Sequence, residues 1–305
     1  MLNLDYNKAS TSNSHNMKRI EESELIINED GSIFHLHLRP EEIADNIILV
    51  GDPGRVPMVG EFLNDIEFNH CSREFNSLTG QYKGKRVTVI STGIGTGNCD
   101  IVMNELDALA NIDFSTRTVK DSPKSLNILR IGTSGAVQGD IPLGSFVFSE
   151  MSVGCDSTLR WYKDCRKACV PGLGHAFHKH MIMNWPMGIP YGTAAGEDMN
   201  RRFADGCIHG ITLSAPGFYG PQGRSLRKDI TFPGMADRLE SFEFKGLRLT
   251  NIEMESSVIS GLGRIFGHNC GTICCIIAQR HKKDMNTDYH SRIKDLIQFS
   301  LDRLV

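Results

Sequence analysis

The chain has 305 residues, a formal net charge of -3, and apolar and charged fractions of 40% and 23%. Such figures describe an ordinary globular protein and exclude the charge excess that would draw nucleic acid or an anionic membrane to its surface. No stretch approaches the roughly 20 apolar residues that span a bilayer, and residues 1–17 lack the apolar centre of a signal peptide, so a cytoplasmic protein is expected.

Taken in chain order, the polar start without periodicity predicts a poorly ordered tail over residues 1–24, with one domain over 25–305. Two short apolar runs, 25–28 and 32–36, flank Glu29-Asp30-Gly31 and predict a hairpin. Residues 47–50 predict a strand ending in Gly51-Asp52-Pro53-Gly54-Arg55, after which Val56, Val59, Phe62 and Leu63 share a helical face. Residues 87–91 predict a second strand, ending in Thr92-Gly93-Ile94-Gly95-Thr96-Gly97. Asp100 is then placed to start a helix carrying Ile101, Val102, Leu106 and Leu109.

Residues 111–125 read as a loop, and 127–131 as a strand running into Gly132-Thr133-Ser134-Gly135. Another strand is predicted at 146–149, and residues 154–200 read as helix and loop over a site. Residues 208–215 predict a strand, 255–266 a helix and 271–278 a buried strand. Ile293, Leu296, Ile297, Leu301 and Leu304 line one face of a closing helix. Apolar strands separated by helices predict an α/β fold, a single domain whose sheet is covered by helices on both faces in three layers.

The nine cysteines are odd in number, and Cys270, Cys274 and Cys275 lie in or beside an apolar run, which fits reduced, packed thiols. Cys165 and Cys169, followed by His175, His178 and His180, match no zinc spacing. No metal is expected there.

Two strand ends combine glycine with arginine: Gly51 to Arg55, and Arg130 to Gly135 with the Thr133 hydroxyl. Glycine lets backbone N–H groups approach an anion, and arginine adds a planar charged fork matched to phosphate. Neither turn is a Walker loop, and Asn98 breaks the dinucleotide spacing after Gly93, Gly95 and Gly97. In open α/β sheets such turns converge beyond the carboxyl ends of the strands. Glycines that only shape a strand-to-helix corner remain the plainer alternative for each turn taken singly.

With Phe34-His35-Leu36, Ser72-Arg73-Glu74-Phe75, Phe218-Tyr219-Gly220-Pro221-Gln222-Gly223-Arg224, Glu253-Met254-Glu255-Ser256 and Gln279-Arg280 added in this order, the chain resembles nucleoside phosphorylases of the uridine phosphorylase type. The resemblance runs from about Phe34 to the closing helix. It implies a central mixed, partly barrel-like sheet and reversible phosphorolysis of a uridine-like nucleoside to free base and ribose 1-phosphate. It implies phosphate binding by Gly51, Arg55, Arg130 and Thr133, joined by Arg73 from a neighbouring subunit. His35, also from the neighbour, would face the ribose 5′-hydroxyl, and Glu255, with Glu253 and Met254, would hold the ribose. Phe218, Gln222 and Arg224 would recognise the base, with Arg280 nearby; Arg130, Thr133 and Glu255 form the catalytic set.

The partners implied are a nucleoside and phosphate, with a homodimer or a hexamer sharing active sites between subunits. Inorganic phosphate is a co-substrate and no cofactor is implied. Glu74 and Ile94 match relatives that bind a monovalent cation at a dimer interface, whereas Asn98 does not, which leaves potassium open. Purine-cleaving relatives place an aspartate where this chain has Ala278-Gln279-Arg280, which favours a pyrimidine. Purine phosphorolysis, a nucleosidase that uses water, and a nucleoside-binding protein without turnover are the alternatives. Glu253 and Glu255 could also serve only the dipole of the helix they precede. The base loop departs from the family, with Gly220-Pro221 in reversed order and Gly223 in place of an acidic residue.

Overall fold

The computed structural model describes residues 18–181, 189–280, 284–285 and 288–305. The expectations for residues 1–17, for the middle of the 154–200 stretch and for the basic run His281-Lys282-Lys283 lie outside the described residues. In chain order the elements are β1 (Asn46–Val50), α1 (Arg55–Gly60), β2 (Asn64–Ser72), β3 (Phe75–Tyr82) and β4 (Lys85–Ser91). They continue with α2 (Thr96–Asn111), β5 (Ile112–Asp113), β6 (Thr118–Val119), β7 (Asn127–Ala136) and β8 (Phe146–Gly154). Then follow α3 (Cys165–Ala168), α4 (Leu173–His180), β9 (Tyr191–Ala194), α5 (Glu197–Arg202) and β10 (Ile208–Ser214). The last are α6 (Met235–Glu240), β11 (Glu243–Phe244), β12 (Leu247–Glu253), α7 (Ser256–Phe266), β13 (Asn269–Gln279), β14 (Asp284–Met285) and α8 (His290–Leu304).

The main sheet runs β11-β12-β10-β8-β13-β7-β1-β4-β3-β2, with β9 on β8 and β14 on β13. Because the end of β7 also pairs with β12, through Gly135 and Ala136 opposite Ile252 and Asn251, the strands β7, β13, β8, β10 and β12 close into a partial barrel. The sheet is mixed: β1 is parallel to β4 and β7, and β13 is parallel to β7 but antiparallel to β8.

Alternation along the strands builds the layers. Ile47 and Leu49 pack in one core with Val102, Leu106 and Leu109 of α2 and Val258, Ile259 and Leu262 of α7. Ile48 and Val50 point the other way, into a core with Val56 and Val59 of α1 and Ile293, Leu296, Ile297 and Leu301 of α8. Successive side chains of a strand face opposite sides, so a strand apolar at every position must be covered twice. Among the described residues no helix is long and apolar enough to cross a membrane.

Several local expectations are corrected. In place of the hairpin at 25–36 there is a single bridge, Ile27 to Ile33, around a turn in which Gly31 has φ 83 and Asp30 accepts from Ser32. Residues 111–125 contain the small hairpin β5–β6 rather than loop alone. Helix α2 begins at Thr96, before Asp100, directly after Gly95 at φ 94. The 154–200 stretch also contributes a strand, β9. The chain from Ile20 onward is held to Arg117, whose backbone carbonyl accepts the Ile20 N–H and whose guanidinium donates to the carbonyls of Ile20 and Leu25.

Candidate active site

Strand register gathers the glycine-rich turns. Val50 stands level with Ser91 of β4 and Ile131 of β7, so the chain leaves β1 at Gly51 and β4 at Thr92 beside Gly132 within β7. Ser214, at the end of β10, is level with Glu253 at the end of β12. The barrel closure then sets that second group of strand ends against β7. Parallel pairing within each group and the antiparallel closure of β7 on β12 thus place five segments distant in sequence at one end of the sheet, as open α/β folds do for ligands.

Arg130 lies at the centre, 5% exposed. Its Nη2 donates to Glu255 Oε2, its Nη1 lies 3.4 Å from Glu253 Oε2 and 3.8 Å from Cys274 Sγ, and its Nε has no partner among the described residues. Burial acts to lower the Arg130 pKa, and the carboxylates of Glu255 and Glu253 outweigh it, so the guanidinium stays charged. A Cβ at Gly132 would collide with Arg130 Nη1, so glycine at that position makes room for the fork. A Cβ at Gly51 would stand 3.8 Å from Arg130 Nη2, which puts the first turn directly beside the second.

Glu255 is the N-cap residue of α7 and its Oε1 accepts the Gly95 N–H at 2.7 Å, tying the third glycine turn to the same carboxylate. Glu253 is engaged differently. Its carboxylate accepts the N–H groups of Glu255 and Ser256 and the Ser256 hydroxyl, at 2.6 to 3.1 Å, which satisfies donors at the start of α7. Burial pushes the Glu253 carboxyl above its ordinary range, against the lowering pull of Arg130. Glu253 thus bonds the start of α7 while also lying beside Arg130, whereas Glu255 bonds the arginine and the Gly95 turn.

A second group forms a wall near the end of β7. Gln222, 4% exposed, accepts from Arg224 Nη1 at 2.5 Å through Oε1, and its backbone carbonyl accepts from Arg280 Nη2 at 2.6 Å. The Arg224 guanidinium stacks on the Phe218 ring at 3.8 Å from the centroid and donates to the Phe218 carbonyl. Burial, with the charge of Arg280, pulls the Arg224 pKa down to about 10. Arg280 donates its backbone N–H to Ala136, and its Cδ would lie 3.5 Å from a Cβ on Gly135, so the wall is anchored to the strand that carries Arg130. Gly223 sits at φ 73, a conformation that an acidic side chain would strain.

The remaining expected residues are placed less tightly. Arg55 opens α1, Thr133 stands level with Cys275, and Met254 lies half-buried between the two glutamates. Arg73 is at the tip of the β2–β3 hairpin with φ 54, and its guanidinium lies 5.7 Å from the Phe34 ring. His35 neighbours Phe34 and pairs with Glu105, which in the sequence is one more polar position on α2 with no signal to single it out. Within the chain no hydrogen bond or ion pair joins His35 or Arg73 to Arg130 among the described residues. Glu74 and Asn98 crowd Gly93: a Cβ there would be 3.1 Å from Glu74 Cγ and 2.5 Å from Asn98 Nδ2.

The partly barrelled, mixed α/β sheet is the fold of the structural neighbours, and the chain belongs to the Phosphorylase superfamily, whose family model matches residues 45–301. Among its relatives, a uridine phosphorylase of Thermococcus kodakarensis is 28% identical over 83% of this chain and 79% of its own. A purine nucleoside phosphorylase of the DeoD type from Alkaliphilus metalliredigens is 36% identical over 66% of this chain and 95% of its own. The solved Trypanosoma brucei nucleoside phosphorylase, described as showing uridine phosphorylase activity, superposes with a TM-score of 0.82 at 28% identity. That match covers 92% of this chain and 99% of the other. A uridine phosphorylase of Phytophthora capsici shares the fold, with a TM-score of 0.65 at 21% identity over 92% and 96% of the two chains.

Proposed function

We propose that the protein cleaves a uridine-like pyrimidine nucleoside with inorganic phosphate, releasing the base and ribose 1-phosphate. The observation that carries this reading is the buried pairing of Arg130 with Glu255 beside Gly51 and Gly95. One guanidinium for an anion and one carboxylate for neighbouring hydroxyls stand side by side, as joining phosphate to a sugar requires.

In this reading Arg130, Arg55, Thr133 and the N–H groups around Gly51 hold phosphate on one face of the ribose, and Glu255 accepts hydrogen bonds from the 2′- and 3′-hydroxyls. Met254 packs at the sugar, and Glu253 holds the start of α7 so that Glu255 keeps its place. As the bond from C1′ to the base nitrogen breaks, its electron pair leaves on the base and positive charge develops on the sugar. A phosphate oxygen then bonds to C1′. The arginines position the nucleophile and balance its charge without reacting. Gln222, Arg224 and Arg280 supply donors to the departing base, whose nitrogen takes up, through solvent, the proton that hydrogen phosphate gives up on becoming the sugar ester, and Phe218 offers an apolar face to its ring.

His35 and Arg73, not bonded to Arg130 within the chain, complete the site of a neighbouring subunit in this reading, which makes the active form at least a dimer. A hexamer would be a ring of such dimers. Light scattering on the pure protein reads the assembly directly.

Uracil released from uridine, with and without phosphate, tests the function. Release that requires phosphate supports it. Release indifferent to phosphate identifies a nucleosidase, and saturable binding without product identifies a binding protein. Inosine assayed in parallel distinguishes a purine phosphorylase, the activity named for the Alkaliphilus relative.

A further inference from the structure

Glu105 lies on α2, 70 residues from the turn it serves. Its carboxylate takes three donors from that turn: the His35 N–H at 3.1 Å, the Leu36 N–H at 2.9 Å and the His35 ring at 2.6 Å through Nδ1. The Glu105 side chain is 12% exposed and that of His35 25% exposed. The Phe34 and Phe75 rings pack edge-on against the imidazole, with centroids at 4.7 and 6.3 Å. His35 is among the residues that line a cavity of about 440 Å³.

An ionised carboxylate only accepts hydrogen bonds, so the imidazole nitrogen facing it must carry the proton. In a neutral imidazole the lone pair then resides on Nε2. We propose that Glu105 is a positioning residue for sugar recognition: it fixes His35 with its proton on Nδ1 and presents Nε2 as an acceptor to the 5′-hydroxyl of a nucleoside held by a neighbouring subunit. This rests on the phosphorolysis reading above. The Arg73 guanidinium lies 5.7 Å from the centroid of Phe34, beside His35 in the same turn.

The test pairs a spectroscopic with a kinetic measurement. Nitrogen-15 NMR of the wild-type protein should show His35 with its proton on Nδ1, and Glu105→Gln should shift it toward Nε2. The ratio of kcat/KM for uridine to that for 5′-deoxyuridine should fall roughly tenfold in Glu105→Gln, the weight of one hydrogen bond. His35→Ala should lower the same ratio, and adding Glu105→Gln to it should lower the ratio no further. The wild-type tautomer and His35→Ala carry the test even if Glu105→Gln folds poorly. An Nε2–H tautomer in the wild type, or a ratio unchanged in both variants, overturns the positioning role while leaving phosphorolysis intact. A wild-type protein that keeps the Nδ1–H tautomer but turns over neither nucleoside overturns the phosphorolysis reading, and the sugar contact with it.

Discussion

Arg130 and Glu255 form a buried ion pair, 5% and 3% exposed, in which the residue expected to hold phosphate and the residue expected to hold ribose neutralise one another. Under the proposed reading, a cation for one substrate and an anion for the other fix each other's position through this pair. Removing Arg130 should therefore damage both stability and activity. Arg130→Ala leaves Glu253 and Glu255 buried without a counter-charge and should cost about 3–5 kcal/mol in urea unfolding. Phosphate-dependent release of base should fall at least about 100-fold. Arg130→Lys keeps the charge but not the fork, so stability should return further than the KM for phosphate does. Full activity in Arg130→Ala would remove this residue from the mechanism.

Gly132→Ala probes the same guanidinium without touching its charge. The new methyl would overlap Arg130 Nη1 and meet Cys274 Sγ at 3.0 Å. Because both neighbours sit in a packed interior, the expected loss of stability is about 1–3 kcal/mol. The KM for phosphate should rise as the fork is displaced. A variant with wild-type kinetics would show that the fork has room to move.

Glu253 gives a pH signature. Burial raises its folded pKa, while Arg130 pulls the other way and Glu255 adds to the rise. Buried Cys99 and Cys274 also face this cluster. A carboxyl raised on folding binds its proton more tightly in the native state. Its contribution to stability is complete below the unfolded pKa and is lost as pH rises through the folded value. The difference in Tm between the wild type and Glu253→Gln should therefore shrink or reverse as pH rises from the ordinary carboxylate range toward neutrality. A difference that grows with pH would contradict the raised value.

The cysteines should divide by accessibility. Cys71 is exposed, whereas Cys99, Cys270, Cys274 and Cys275 are buried. Burial pushes the Cys274 thiol up to about 12, far from the thiolate that reacts. Iodoacetamide on the native protein at neutral pH should label Cys71 first and leave the four buried thiols unmodified until denaturant is added. Mass spectrometry of peptides reads the order. Early labelling of Cys274 would show that the core around Arg130 opens.

The parts of the fold legible along the chain are those whose cause is local. Runs such as Ile47, Ile48, Leu49 and Val50, apolar at every position, announce a strand covered on both faces, and α8 shows its apolar stripe in Ile293, Leu296, Ile297 and Leu301. Strands β2 and β12 carry no such signal. Residues 64–72 are largely polar because β2 is an exposed edge, and β12 alternates too briefly to stand out. The hairpin expected at 25–36 fails because its apolar side chains, Leu25, Ile33 and Leu36, pack into the core with α2 instead of pairing along strands.

The sequence by itself determined which residue types stand at the ends of the strands, because glycine beside arginine is a local pattern with a local chemical meaning. The tertiary structure alone decided which of them meet. Arg130 and Glu255 are 125 positions apart and come together through the closure of β7 on β12. The same folding gave different partners to two glutamates that look alike in the chain: Glu253 takes the donors at the start of a helix as well as lying beside Arg130, whereas Glu255 hydrogen-bonds the arginine and the Gly95 turn. Spacing along the chain cannot express that distinction, since it depends on which way each side chain leaves a strand end and on what the barrel brings opposite it.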